Sequence, residues 1–215
     1  PTVWAEAARD AGMKYFVVTS KHHEGFALWD SEHTDYKVTN TPYGRDLLKP
    51  MVDAFRSEGL RVGFYHSLID WHHPDYVIDP YIGPYRNAAN REELNASRSQ
   101  ERYAAYLHSQ VRELLTKFGT IDVLWFDFSF PQRGPEGKGS DAWKSDELYA
   151  MVRELMPNVV LNDRLDLPEG WDVKTPEQYQ PRSWFTVGGK PVTWEACQTF
   201  SGSWGYHRDE SSWKS

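Results

Sequence analysis

Apolar and polar positions along the chain follow two periods in turn, and this predicts helices that alternate with strands. Helical spacing of apolar residues predicts four helices, and short runs of β-branched and aromatic residues between them predict strands. A glycine or a proline closes each helical pattern, as expected at a helix end. The predicted helices lie within 3–12, 45–59, 97–119 and 145–157, and the predicted strands at 13–20, 60–67, 121–127, 159–163 and 191–197.

This order of elements predicts an α/β domain with a parallel sheet. A doubly wound nucleotide-binding fold should have a glycine-rich turn after an early strand, but "KHHEGF" follows the first strand here. A (β/α)8 TIM-like barrel instead carries its chemistry on the loops after the strands, and those loops hold most of the histidines and tryptophans. We predict a single barrel domain over 1–215. Five strands cannot close it, so we expect an incomplete barrel whose first and last strands are missing from this chain.

Composition narrows the classes of partner. The net charge of −7 argues against nucleic acid and anionic membrane surfaces, both of which favour clusters of Lys and Arg. No apolar run approaches the roughly 20 residues of a membrane span. Cys197 is the only cysteine, so no internal disulfide can form. The aromatic fraction of 15% is high, and it suits either core packing or the apolar faces of sugar rings.

Polar side chains gather where the first two predicted strands end. His22 and His23 follow the first strand as an adjacent pair, whereas metal-binding histidines are more often spaced as H-x-H or H-x-x-x-H. The loop after the second strand could hold either a metal cluster or a polar rim with an aromatic wall, and we favour the polar rim because no H-x-H motif precedes it. The polar and aromatic residues of that loop are His66, Asp70, Trp71, His72 and His73.

Carboxylates and an arginine follow the later strands. Asp127 closes an apolar strand, and from composition it is equally a loop residue or a catalyst, although barrel active sites lie at this end of the strands. Arg164 could clamp a ligand or pair with a neighbouring aspartate. Two later glutamates, Glu177 and Glu195, offer a second carboxylate. A carboxylate pair among Trp and His residues suits glycoside hydrolysis, and the residues alone do not assign the two roles.

At these residues the chain resembles the α-L-fucosidases of glycoside hydrolase family 29. The resemblance rests on six stretches, which occur in the family's order and span nearly the whole chain: "AGMKYFVVTSKHHEGFALWDS", "GRDLLKPMVDAFRSEGLRVGFYHSLIDW", "IDVLWFDF", "VVLNDR", "TPEQYQP" and "WEACQTFSGSWGY".

The resemblance implies a retaining hydrolase on a (β/α)8-like barrel that cleaves α-L-fucosyl linkages of glycans or glycoconjugates. It implies Asp127 as the nucleophile and Glu177 as the acid/base, with Glu195 as the alternative. The sugar would be contacted by a set of aromatic and basic residues: His22, His23, His66, Trp125, Arg164 and Trp204. No metal or organic cofactor is implied, and family members suggest a secreted, periplasmic or lysosomal full-length protein.

Two positions depart from the family pattern, and two other functions stay open. Glu24 stands where the family often has Asp, and Phe128 stands where it often has Gly, from which we expect Phe128 to narrow the leaving-group side. The first alternative function is a non-catalytic or truncated fucose-binding barrel. The second is a metal-dependent hydrolase built on the five histidines of the first two loops.

Overall fold

The computed structural model describes residues 1–214. Helices and strands alternate along the first three quarters of the chain, as the periodicity predicts. Three single-turn 3-10 helices lie in loops, at Val38–Asn40, Pro131–Arg133 and Asp163–Leu165. In chain order the elements are α1 (Thr2–Asp10), β1 (Tyr15–Lys21), α2 (Leu48–Ser57), β2 (Arg61–Ser67), α3 (Arg91–Asn95), α4 (Gln100–Lys117), β3 (Val123–Asp127), α5 (Ser140–Trp143), α6 (Ser145–Leu155), β4 (Val160–Leu161), β5 (Thr186–Val187) and β6 (Lys190–Pro191).

The first four strands form one sheet in the order β1-β2-β3-β4, and every pairing in it is parallel. The predicted parallel α/β architecture is therefore confirmed. Tyr65 of β2 is the register partner of Trp125, and Ser67 is the partner of Asp127. The carboxyl ends of β1, β2 and β3 consequently meet at one edge of the sheet, where the predicted site residues lie.

The two faces of the sheet have different neighbours because side chains alternate along each strand. Phe64 and Phe126 are fully buried in the hydrophobic core beneath the helices. Phe64 packs edge-on against Phe118, which caps α4, with 5.3 Å between ring centroids. The residues between them, such as Tyr65 and Trp125, face the other side of the sheet. This second face leads to the candidate site.

The fifth predicted strand, 191–197, is wrong as a regular strand. Part of it belongs to the antiparallel hairpin β5–β6, and the rest makes only isolated parallel bridges, Lys174 to Trp194 and Glu177 to Cys197. Between these bridges the next donor in the ladder should be residue 176, but Pro176 has no N–H. The ladder therefore breaks there, although both segments still run parallel in the order of the sheet.

The sheet does not close into a barrel within residues 1–214. Parallel pairing does continue beyond β4. A bridge joins Asn162 to Val173, and the segment after Val173 is bridged in turn to 194–197. The architecture is thus an open, barrel-like arc rather than the eight-stranded closed form. None of the described helices is both long and apolar enough to span a membrane.

Candidate active site

Four planar groups from successive strand ends stack on one another above the sheet. The ring of His22 lies on that of Tyr65, with 5.3 Å between centroids, and Tyr65 lies on Trp125 at 5.6 Å. The guanidinium of Arg164 covers the far side of Trp125 at 5.0 Å from the ring centroid. Because Tyr65 and Trp125 are register partners, the parallel pairing itself brings the rings together. The stack forms the floor of the candidate site.

Asp127 ends β3 beside this floor and accepts hydrogen bonds from two of its members. The hydroxyl of Tyr65 donates to Oδ2 at 2.6 Å, and Nη1 of Arg164 donates to Oδ1 at 3.0 Å. The Asp127 side chain is only 13% exposed. Burial raises the pKa of the Asp127 carboxyl above its usual value, while the hydrogen bond from Tyr65 and the charge of Arg164 lower it. The two donors therefore favour the ionised carboxylate against its desolvation.

Arg164 joins the two predicted catalytic carboxylates. Its Nη1 binds Asp127, and its Nη2 donates to Oε2 of Glu177 at 2.9 Å. Nε and Nη2 also donate to the side chain and the carbonyl of Thr175, which fixes the plane of the guanidinium. The site thus has Asp127 and Glu177 on different nitrogens of one fork, the geometry in which arginine differs from lysine.

The tripeptide 162–164 builds this arrangement, because its residues bind both the end of β3 and the segment around Thr175. Asn162 accepts from the N–H of Phe126 at 2.9 Å and donates to its carbonyl at 2.8 Å, which extends the β3–β4 pairing through a side chain. Asp163 accepts from the N–H and hydroxyl of Thr175, at 3.1 and 2.8 Å. The strand end of Asp127 and the loop of Glu177 are therefore both fixed from one short segment.

A bulge at the end of β1 turns the histidine pair toward Asp127. Thr19 pairs with Tyr65, but Lys21 pairs with His66, so β1 contains one extra residue, Ser20, at this point of the ladder. After this shift the His22 ring lies on Tyr65, and Nε2 of His23 comes within 3.9 Å of Asp127 Oδ2. The bulge lets two adjacent histidines face the same site, which a regular strand does not allow.

The tautomer of His23 is coupled to the hydrogen bond that Ser67 donates. Ser67 has one hydroxyl hydrogen and two acceptors within reach, the carbonyl of Ile69 at 2.9 Å and Nδ1 of His23 at 2.6 Å. When the hydroxyl donates to Ile69, Nδ1 is the N–H donor and Nε2 carries a lone pair; when it donates to Nδ1, Nε2 carries the proton. Burial, together with the neighbouring His22 and Lys21, lowers the pKa of His23 to about 3. In the Nδ1–H tautomer, Nε2 and Asp127 Oδ2 are two acceptors that face a space which a ligand hydroxyl can fill as donor.

Tyr65 is a site residue that the sequence predictions missed, and His66 was predicted in its place. His66 is fully buried on the helix side of β2, with its Nδ1 2.8 Å from the hydroxyl of Ser20. Strand alternation puts residue 66 on the face of Phe126 and residue 65 on the face of Trp125. The period of two, counted back from the strand end, was the signal that could have found Tyr65.

The structure does not bring two other predicted residues to Asp127. Glu195 accepts a hydrogen bond at 3.0 Å from Tyr15, at the amino end of β1 and so away from the carboxyl-end edge. Trp204 is 60% exposed in the irregular segment that follows residue 197. Of the two glutamates that the sequence left open, Glu177 is therefore the one beside Asp127.

Phe128 adopts a left-handed backbone conformation, with φ at 82°. Only glycine adopts this region without strain, which accounts for the glycine of the family pattern at this position. The Phe128 ring packs edge-on against His23 at 5.1 Å. It therefore borders the His23 side of Asp127, whereas Glu177 lies on the Arg164 side. The expectation that Phe128 narrows the leaving-group side stays a prediction.

The histidines of the first two loops do not form a metal-binding cluster. No group of three or more His, Cys, Asp or Glu side chains converges at metal-binding distance in residues 1–214. His66 faces the helix layer, while His72 stacks on Tyr36 at 4.0 Å. His22 and His23 lie together beside Asp127, whereas His66 and His72 lie elsewhere, so the five histidines do not share a coordination site.

Comparisons with known proteins agree on one family. A family model described as alpha-L-fucosidase matches residues 1–215. The chain is 49% identical to alpha-L-fucosidase isoenzyme 1 from Paenibacillus thiaminolyticus, with a TM-score of 0.92, over 100% of this chain and 52% of that one. It is 31% identical to a family 29 alpha-L-fucosidase from Bacteroides thetaiotaomicron, solved as a trapped covalent intermediate, with a TM-score of 0.79 over 99% and 49% of the two chains. Plasma alpha-L-fucosidase of Rattus norvegicus is 31% identical, over 96% of this chain and 42% of that protein. The chain spans about half the length of these relatives.

Proposed function

The chain belongs to the alpha-L-fucosidase family, and from this premise we propose that the full-length protein hydrolyses terminal α-L-fucosyl linkages with retention of configuration. The observation that carries the proposal is the Arg164 fork, which holds Asp127 and Glu177 side by side at the carboxyl end of the sheet. Carboxylates on two nitrogens of one guanidinium suit the separation of about 5–5.5 Å that retaining glycosidases use. The relative trapped as a covalent intermediate also supports retention.

In the proposed mechanism Asp127 is the nucleophile. Its carboxylate attacks the anomeric carbon, and the bond to the leaving oxygen breaks as that oxygen takes a proton from Glu177. The fucosyl ester of Asp127 is then hydrolysed by water, whose proton passes to Glu177, and fucose is released with Asp127 free again. Asp127 suits the first role because Tyr65 and Arg164 favour its ionised form in a desolvated setting.

Glu177 suits the second role by position and exposure. Its side chain is 42% exposed, so it can exchange protons with water between the two steps. It lies on the opposite side of Asp127 from His23. The leaving group would lie on the Glu177 side, and the sugar hydroxyls on the His23 side. Arg164 stays with Asp127 while Glu177 turns toward the leaving oxygen.

The sugar ring would lie over the stack of His22, Tyr65 and Trp125. In the Nδ1–H tautomer of His23, a hydroxyl of fucose would donate into the space between Nε2 and Asp127, where two acceptors meet. The acceptor role of Nε2 requires a neutral His23, which its lowered pKa provides across the physiological range. The secreted, periplasmic or lysosomal location suggested by the family resemblance stays a prediction.

Azide rescue of the full-length protein tests both carboxylate roles. On an aryl α-L-fucoside, Asp127→Gly should lose turnover, and added azide should restore it with formation of the inverted β-fucosyl azide. Glu177→Gly with azide should form the retained α-fucosyl azide, because azide then attacks the fucosyl ester. Glu195→Gly is the matched control and should keep wild-type hydrolysis.

Three outcomes would contradict this proposal. Wild-type hydrolysis by Asp127→Gly would remove the nucleophile assignment, and an α-fucosyl azide from Glu195→Gly would move the acid/base role to Glu195. Calorimetric binding of fucose by a wild-type protein that releases no aryl group would favour the fucose-binding alternative instead.

A further inference from the structure

A buried ion pair adjoins the histidine pair of the site. Lys21 and Asp70 are almost completely buried, at 0% and 1% exposure, with 3.3 Å between Nζ and Oδ2. The rings of Tyr103 and Tyr106 on α4 enclose the ammonium, at 5.9 and 5.2 Å from their centroids. The bulge of β1 creates this arrangement, because it turns Lys21 toward the helices while the next two residues turn toward Asp127.

The pair joins the two loops that shape the His23 side of the site. Lys21 immediately precedes His22 and His23. Asp70 precedes Trp71, whose N–H donates to the carbonyl of His23 at 2.8 Å and whose ring packs edge-on against the imidazole at 5.4 Å. The loops are in close contact, since a Cβ added at Gly25 would lie 2.1 Å from Oδ1 of Asp70.

Stability alone gives a weak reason for such a pair. Two charges lose their hydration on burial, and a well-packed uncharged pair of similar volume is often as stable or more stable. Its position between the loops supplies a stronger reason.

We propose that Lys21 and Asp70 are positioning residues for His23: the pair fixes the histidine loop, and the charge of the nearby ammonium keeps the imidazole neutral beside Asp127. The inference rests on the proposed function, in which the neutral imidazole receives a substrate hydroxyl at Nε2. Lys21 itself touches no substrate atom in the proposed mechanism.

The charges around His23 show why a neighbouring cation matters. Asp127 lies in front of Nε2 and favours a proton there, while Arg164 partly neutralises that carboxylate from its far side. Burial opposes the proton first, and His22 and Lys21 oppose it next. A proton on Nε2 would turn the acceptor into an ion-pair partner of Asp127 and would occupy the oxygen that faces the substrate.

The double variant Lys21→Met/Asp70→Asn in the full-length protein tests this role without leaving an unpaired charge. Asparagine keeps the Oδ1 acceptor, which receives the N–H groups of His72 and His73 at 3.0 and 2.9 Å. The variant therefore removes both charges and keeps the loop hydrogen bonds.

The chain offers a closely matched control in a second buried pair, Lys138 and Asp79. Its Nζ–Oδ2 distance is also 3.3 Å, and aromatic rings also cover its ammonium. Oδ1 of Asp79 accepts from the N–H groups two and three residues later, as Oδ1 of Asp70 does. Lys138→Met/Asp79→Asn therefore repeats the chemical change away from the histidine loop.

The NMR titration of the His23 imidazole decides the question. In the Lys21→Met/Asp70→Asn variant we expect His23 to titrate about one pH unit higher than in the wild-type protein. The Lys138→Met/Asp79→Asn variant should leave this titration unchanged.

An unchanged His23 titration in the Lys21→Met/Asp70→Asn variant would overturn the proposal, and so would an equal change in both double variants. The NMR titration needs no turnover. If the wild-type protein fails to cleave fucosides, that result refutes the proposed function, and the titration still tests the positioning role.

Discussion

Replacing Tyr65 by phenylalanine removes a single hydroxyl from the candidate site. That hydroxyl donates to Asp127 Oδ2 at 2.6 Å. Burial and the nearby Asp127 raise the pKa of Tyr65 well above its usual value, so the hydroxyl stays protonated and remains a donor at every working pH. The ring itself stacks between His22 and Trp125, and phenylalanine keeps both of these contacts. The variant therefore isolates the hydrogen bond.

The sign and the size of the effect follow from that bond. A donor favours the ionised carboxylate, so its loss raises the pKa of Asp127 further in the direction that burial already drives it. A hydrogen bond to a charged group contributes about 1.5–3 kcal/mol, which at 1.36 kcal/mol per unit corresponds to a shift of about one to two pH units. The Asp127 side chain is 13% exposed, so solvent screens little of this. Because Asp127 must be ionised to act as the proposed nucleophile, the acid limb of kcat/KM should move to higher pH.

The assay is the pH dependence of kcat/KM for an aryl α-L-fucoside with the full-length protein. Tyr15→Phe is the matched control, since it removes a tyrosine–carboxylate hydrogen bond, to Glu195 at 3.0 Å, outside the candidate site. An acid limb that stays in place or moves to lower pH in Tyr65→Phe would show that the Tyr65 hydroxyl does not stabilise the ionised Asp127. The same displacement in Tyr15→Phe would show that the effect is not specific to Asp127.

Three further predictions address the rest of the site. Arg164→Lys should lower kcat/KM by about 100-fold, because an ammonium cannot hold two carboxylates in the planar fork, and wild-type kinetics would contradict this. Asn162→Leu should lower the free energy of unfolding by about 2–4 kcal/mol in urea denaturation, since two buried backbone groups of Phe126 lose their partners. The control is Gln110→Leu. The side-chain amide of Gln110 is buried without a partner in the part of the chain that the structure describes, so its loss should not destabilise the protein. As the pH falls from 7 to 5, the contribution of His23 should lower the free energy of unfolding by about 2 kcal/mol. In the unfolded state His23 takes up a proton with a pKa of about 6.5, whereas in the folded state, with a pKa of about 3, it stays neutral. Calorimetric Tm values across this range test it, and a stability that rises on acidification would contradict it.

The helices and the parallel strands could be predicted because their signals are local. Apolar spacing of 3.6 or 2 residues states which side of an element is buried, and glycines mark where α1, α2 and α4 end. The same patterns could not foresee the break at Pro176, because a missing N–H disrupts a ladder only when the neighbouring segment requires that donor. The irregular end of the sheet was therefore decided by pairing between segments that lie about twenty residues apart in the chain.

For the candidate site, the sequence alone was enough to place Asp127 at the carboxyl end of a buried strand, with His22, His23 and Arg164 on neighbouring loops. Which of two adjacent residues on β2 faces Asp127 depended on the strand register, and it is Tyr65 rather than His66. His22 and His23 can face the same site because of a bulge in β1, which the spacing of apolar residues does not predict.

Only the tertiary structure shows which of Glu177 and Glu195 lies beside Asp127. Glu177 stands in a polar loop and Glu195 in a predicted strand, and the first binds Arg164 whereas the second binds Tyr15. The physical reason is that a site is a set of distances of a few ångströms between residues far apart in the chain. Local patterns determine elements and their buried faces, whereas register, bulges and long-range hydrogen bonds determine which side chains finally meet.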